Sequence, residues 1–267
     1  MYKHPKNGQN TAGRGQITSN MTVDSIIFYI MVALISFMIG LAKGGLGGTL
    51  GALATPLLAL FMPSDQVIGL ILPILMLADI FAVSLHWRRW NTKLALLLIP
   101  GAIVGVTIGM FFITNAPIET LRTALGVIVL IFAVYKIFES RIQGFVKYQP
   151  KNWHGLLAGT FTGFVSALAH TGGPSLSIYL LLQDVTPRVF IATSAIFFFL
   201  LNLIKVPFYW YAGLFNFQLL WQIAWLLPLV PLGVWVGRWG ASKVDKETFE
   251  WIITGLLVIT ALMLIFS

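Results

Sequence analysis

The 267-residue sequence has no cysteine and little charge: 17 Lys+Arg and 9 Asp+Glu make up only 10% of it. Without a thiol there is no disulfide scaffold, no thiolate metal site and no cysteine nucleophile. A soluble domain carries about 25% charged residues, so a chain at 10% charged and 58% hydrophobic is excluded from that class. It is equally far from the low hydrophobicity of disordered chains. No His/Asp/Glu group has the spacing of metal ligands, and neither a P-loop nor a dinucleotide fingerprint is present, so neither a metal nor a cofactor is expected. What remains is an all-α polytopic membrane protein, with the lipid bilayer as its first partner.

The formal net charge of +8 raises the question of nucleic acid, which basic proteins attract. Its distribution answers against it. The positive residues gather in short clusters between apolar stretches, as in His86-Trp87-Arg88-Arg89-Trp90 and Lys147 to Lys151, which is how cytoplasmic loops look under the positive-inside rule. Trp87, Trp90, Trp153, Tyr209, Trp210, Tyr211, Trp239 and Trp251 fall near the ends of apolar runs, as an interfacial aromatic belt would. Phe197-Phe198-Phe199 reads as lipid-facing or packing surface.

Residues 1–23 are polar and Gly-rich and read as a disordered tail. Apolar runs then follow almost without pause, among them Leu46 to Met62, Pro174 to Leu182 and Phe217 to Trp239. Within them is an internal repeat: Pro100, Gly105, Gly109, Glu119 and Thr120 recur at one constant offset as Pro228, Gly233, Gly237, Glu247 and Thr248, and Gly47-Gly48 answers Gly172-Gly173. The expected organisation is a first transmembrane repeat over 24–140, a basic cytoplasmic linker over 141–152 and a second repeat over 153–267. Placing the Lys/Arg clusters inside gives the repeats opposite orientations, the inverted plan of many secondary transporters.

Each repeat opens with a helix, a glycine cluster and a further helix, reading Lys43-Gly44-Gly45-Leu46-Gly47-Gly48-Thr49 in one and His170-Thr171-Gly172-Gly173-Pro174-Ser175 in the other. Glycine permits sharp reversal and close approach, proline suits the first turn of a new helix, and the N–H groups of such a turn attract anions. Broken or re-entrant helix pairs are therefore expected at the start of each repeat, with Lys43, Gly44, Gly47, Gly48, His170, Gly172 and Gly173 around a small anionic substrate. Ionisable residues inside apolar runs are functional hypotheses by default. Asp79 is expected to balance charge or carry a proton together with His170, and Asn202 and Lys205, one turn apart on one helix face, to complete the substrate-binding wall.

Ala42-Lys43-Gly44-Gly45-Leu46-Gly47-Gly48, Pro56-Leu57-Leu58, Leu72-Pro73 and Asp79 in the first half, with Ala169-His170-Thr171-Gly172-Gly173-Pro174, Tyr179-Leu180-Leu181, Asn202, Lys205 and Pro207 in the second, resemble the sulfite exporter TauE/SafE family. The resemblance implies a secondary transporter, an exporter of sulfite or an organosulfonate, in the bacterial cytoplasmic (inner) membrane, and leaves a homodimer open. Two other readings stand beside it: an anion channel, and an intramembrane hydrolase using Ser175 or Ser166 with His170 as base.

Overall fold

The computed structural model describes residues 12–46, 48–143, 151–183, 185–240 and 245–266. Among the described residues the regular structure is entirely helical: α1 Ala12–Leu41, a π-helical turn Ala42–Leu46, α2 Gly48–Ala52, α3 Ala54–Leu58, α4 Ser64–Leu85, α5 Thr92–Asn115, α6 Ile118–Gln143, α7 Asn152–Ala169, α8 Gly173–Leu181, α9 Pro187–Tyr211, α10 Phe217–Ile223, a 3₁₀ turn Ala224–Leu226, α11 Leu229–Gly240 and α12 Lys246–Phe266. Among the described residues five stretches are long and apolar enough to cross a membrane, and α10 with α11, bent by 48° at the break between them, make a sixth if the pair is one span. Lipid has no water to pair with open backbone, which is why such runs close their hydrogen bonds internally as helices.

Four expectations change here. Residues 1–11 lie outside the described part, but Ala12 to Val23, expected in a disordered tail, form the first turns of α1. Once a helix is nucleated in the apolar segment, extension adds a bond for each residue fixed, and the weak formers Gly13 and Gly15 cost only about 1 kcal/mol each. The expected linker is trimmed in the same way: α6 runs on through Gln143, α7 begins at Asn152, and residues 144–150 lie outside the description. The run Leu46 to Met62 is divided into two single-turn helices, α2 and α3. Phe217 to Trp239 is bent before Pro228, which has no N–H to offer the carbonyl four residues earlier. Its repeat partner Pro100 sits within continuous α5.

The packing is reciprocal. Helix α1 lies on α11 and α7 on α5, so each opening helix packs on the other half, while α4 pairs with α9 and α6 with α12. Small residues make the closest seams, since without Cβ two backbones can approach within van der Waals distance. A Cβ on Gly101 or Gly105 of α5 would collide with the Leu156 or Thr160 carbonyl of α7, and one on Gly233 or Gly237 of α11 with the Phe37 or Leu41 carbonyl of α1. The repeated glycines thus mark the two seams between the halves. Helices α4 and α9 run antiparallel: Gly69 packs on Leu214, the Asp79 carboxylate meets Asn202, and Asn91, just beyond α4, donates its N–H to Thr193 Oγ1 at 2.9 Å. Large apolar side chains on the periphery, including Trp221, Trp225, Trp235 and Phe111, stay exposed, as a lipid-facing surface requires.

Candidate functional site

Both helix breaks form where glycine or a left-handed residue turns the chain. In the first, Gly45 takes φ 141° within the π turn, a conformation that a Cβ would strain. In the second, His170 caps α7 at φ 55°, the left-handed region that closes many helices. Three residues on, α8 begins, with Pro174 in its first turn.

The side chains of both breaks converge on α4 and α9. Asp79 of α4 is fully buried, and the Lys43 ammonium lies 2.6 Å from its Oδ1 while itself 21% exposed. This is an ion contact off the directions of a hydrogen bond, so Oδ1 has no directed donor. The other oxygen, Oδ2, accepts from Asn202 Nδ2 at 2.6 Å. One turn along α9, the Lys205 ammonium donates to the Ser166 carbonyl at 3.1 Å, to Ser166 Oγ at 3.1 Å and to His170 Nδ1 at 3.0 Å. An ammonium has three N–H groups, and all three are engaged. With Nδ1 accepting, the imidazole proton is on Nε2, which donates to the Ile68 carbonyl of α4 at 3.1 Å. The imidazole is neutral in this arrangement, and with both lysines protonated the cluster holds two ammonium groups and one carboxylate, one unit of positive charge in excess.

The breaks and the substrate-wall residues named from sequence therefore meet, though not all in the same way. Lys43, Asp79 and Asn202 form one chain of contacts and Lys205, His170 and the Ile68 carbonyl a second, one turn along α9, and each joins the two halves. Gly44 lies against the α11 backbone at Val234, and Gly172 against Thr162 and Ser166, so both serve close packing. Gly173 alone of the second pair has open space where a Cβ would stand. Gly48 opens α2, a helix of five residues, and Gly47 lies outside the described residues. The two N-termini are thus unequal, since a helix of barely more than one turn has little dipole to offer.

Several residues that the sequence marked for other roles take part in the cluster. Ser166 anchors Lys205, and Tyr209, expected in the aromatic belt, is fully buried with its hydroxyl donating to the Ala167 carbonyl at 2.7 Å. A hydroxyl this far inside a bundle must find an acceptor, and the end of α7 provides orphan carbonyls. The ring of Phe198 stands 4.7 Å from the Lys43 ammonium, a cation–π contact rather than lipid-facing surface. Helical spacing is the signal that finds them: Ser166 and His170 are four apart on α7, and Lys205 and Tyr209 four apart on α9. Ser175 Oγ bonds Thr162 Oγ1 at 2.7 Å and the Gly172 carbonyl at 2.9 Å, while the nitrogens of His170 face Lys205 and Ile68. The serine–histidine pair that a hydrolase would need is not assembled. Two clefts, of about 330 and 260 Å³, lie around Phe111, Phe208 and Tyr211 and around Asp65, Ile118 and Leu214, and none of the cluster residues lines them.

Comparison with curated proteins and with solved structures gave no match. The family model described as sulfite exporter TauE/SafE matches residues 32–264, a stretch that takes in both helix breaks, the buried cluster and both glycine seams. Family membership makes the chain a multi-pass membrane transporter rather than an enzyme, and the chain belongs to the sulfite exporter TauE/SafE family.

Proposed function

We propose that the protein is a secondary transporter that exports a small sulfur-containing oxyanion, sulfite or an organosulfonate, across the bacterial cytoplasmic membrane. The observation that carries this reading is the excess of cationic side chains in the buried cluster: among the described residues Lys43 and Lys205 are gathered there with one carboxylate, Asp79, and Gly173, three residues beyond His170, has open space where a Cβ would stand. A cation buried in hydrocarbon is costly unless paired, and an anion entering that space completes the pairing. Substrate would lie between the Lys43 ammonium and the backbone at Gly172-Gly173, with Asn202 beside it.

The two repeats have inverted topology in this reading, and the breaks are the tips of broken or re-entrant pairs. The antiparallel course of α4 and α9 and the exchanged partners of α1 and α7 support it, because an in-plane two-fold axis produces both. Asp79 balances the charge of Lys43. Protonating it would free that ammonium for substrate, which gives a route to proton coupling.

The test is sulfite efflux from proteoliposomes containing the purified full chain. Saturable efflux, competed by organosulfonates, is expected. An unsaturable conductance would replace the carrier with a channel, and no flux of any sulfur oxyanion would overturn the proposal.

A further inference from the structure

Resting on the proposed anion site, a second assignment concerns the division of labour between the two lysines. We infer that Lys205 and His170 are positioning residues that clamp the second helix break in place, and that Lys43 is the ammonium that meets the substrate. The donor count supports this. Lys205 is fully buried, with every N–H directed at Ser166 or His170, so an anion could contact it only by displacing one of these acceptors. Lys43 makes one ion contact and keeps 21% of its side chain exposed.

The clamp also explains how α7 can end inside the bundle. The last carbonyls of a helix lack partners within it, and α9 supplies donors there: Tyr209 to the Ala167 carbonyl, and Lys205 to the Ser166 carbonyl, which also accepts the His170 N–H. A cation at a helix C-terminus is also favoured by the helix dipole. His170 extends the line to the other half, accepting at Nδ1 and donating from Nε2 to Ile68. The groups around the imidazole are Lys205 and Tyr209 from α9, Ser166 on its own helix, the Ile68 carbonyl from α4 and, further off, Lys43 from the π turn. The two charged groups among them are cations, and Nδ1 already faces an N–H, so a second ring proton has no acceptor. His170 therefore passes no proton in this state, and the coupling route falls to Asp79.

The experiment has a part without ligand and a part with one. In the full chain labelled with ¹⁵N-histidine in nanodiscs, His170, assigned by loss of its signals in His170→Gln, should remain a neutral Nε2–H imidazole from pH 6 to 8. Titration in that range, or the Nδ1–H form, would overturn the clamp whether or not any anion binds. Binding is then measured with methanesulfonate, a fixed monoanion over these pH values. A glutamine amide can accept from Lys205 and donate to Ile68, so His170→Gln should keep affinity within threefold and the wild-type pH profile, while His170→Leu, which does neither, should lose at least tenfold. Equal affinity in His170→Leu would also overturn the assignment. If wild type fails to bind methanesulfonate or any sulfur oxyanion, the functional proposal fails, and the imidazole spectrum still decides the clamp.

Discussion

Lys43 and Lys205 occupy the same buried cluster, one from each half, and differ in what surrounds their N–H groups. Lys205 is closed off by a serine, a backbone carbonyl and an imidazole, whereas Lys43 rests on one carboxylate oxygen and the face of Phe198 with part of its side chain accessible. A charge whose donors are all bonded within the protein contributes geometry and electrostatic potential. A charge with donors to spare can bind. Each half brings one lysine to the cluster, and local partners divide their roles.

The largest expected effect removes the closed one. Lys205→Met strips a donor from the Ser166 carbonyl, Ser166 Oγ and His170 Nδ1 at once, and an unsatisfied buried group costs roughly 1–3 kcal/mol. A loss on the order of 3 kcal/mol should appear in thermal unfolding in detergent micelles, well beyond the effect of Lys43→Met. Near-equal melting of the two variants would remove the distinction.

Next comes the charge balance. Asp79→Asn keeps an acceptor for Asn202 and deletes the counter-charge, raising the cluster from one positive unit to two. Affinity for sulfate, a dianion, should rise relative to methanesulfonate by about tenfold, equivalent to about 1.4 kcal/mol, in paired calorimetric titrations. An unchanged ratio would mean that Asp79 does not set the charge felt by the ligand.

The glycines of the second break sharpen the same contrast between packed and open. A methyl group on Gly172 would press on Thr162 and Ser166, which already hold the clamp, so Gly172→Ala should cost about 1–3 kcal/mol by overpacking. Gly173→Ala points into open space and should leave unfolding within about 0.5 kcal/mol while weakening anion binding, as seen by comparing melting curves with and without methanesulfonate.

The smallest effect lies outside the spans, at His86, which caps α4. Burial, reinforced by Arg89 and Arg238, holds its imidazole below the ordinary value of 6.5. The unfolded chain therefore takes up a proton first as pH falls, so this contribution to stability is present above about pH 6.5 and is lost on acidification. The melting temperature of His86→Gln should fall slightly less than that of wild type between pH 7.5 and 5.5.

Much of this was legible in the residues. The glycine clusters announced both breaks, although at the second the left-handed residue is His170 beside the glycines, and isolated ionisable residues in apolar runs announced the cluster. The bend before Pro228 was not legible, because its counterpart Pro100 stands in an unbroken helix. Neighbouring packing, which the local sequence does not encode, decides between the two. Gly44 and Gly172 looked the same as Gly173 in the sequence, because composition cannot tell a glycine packed against a neighbour from one that faces open space. Tyr209 was assigned to the interface because the sequence shows a residue near a helix end, whereas its partner, the Ala167 carbonyl, lies on another helix.

The most direct test of the account is the affinity of purified Lys43→Met for methanesulfonate, measured on protein that elutes as one species and melts cooperatively. A loss of at least tenfold, equivalent to about 1.4 kcal/mol, is predicted, since the variant removes the one ammonium in the cluster with N–H groups left for a ligand. Wild-type affinity in that variant would contradict the account.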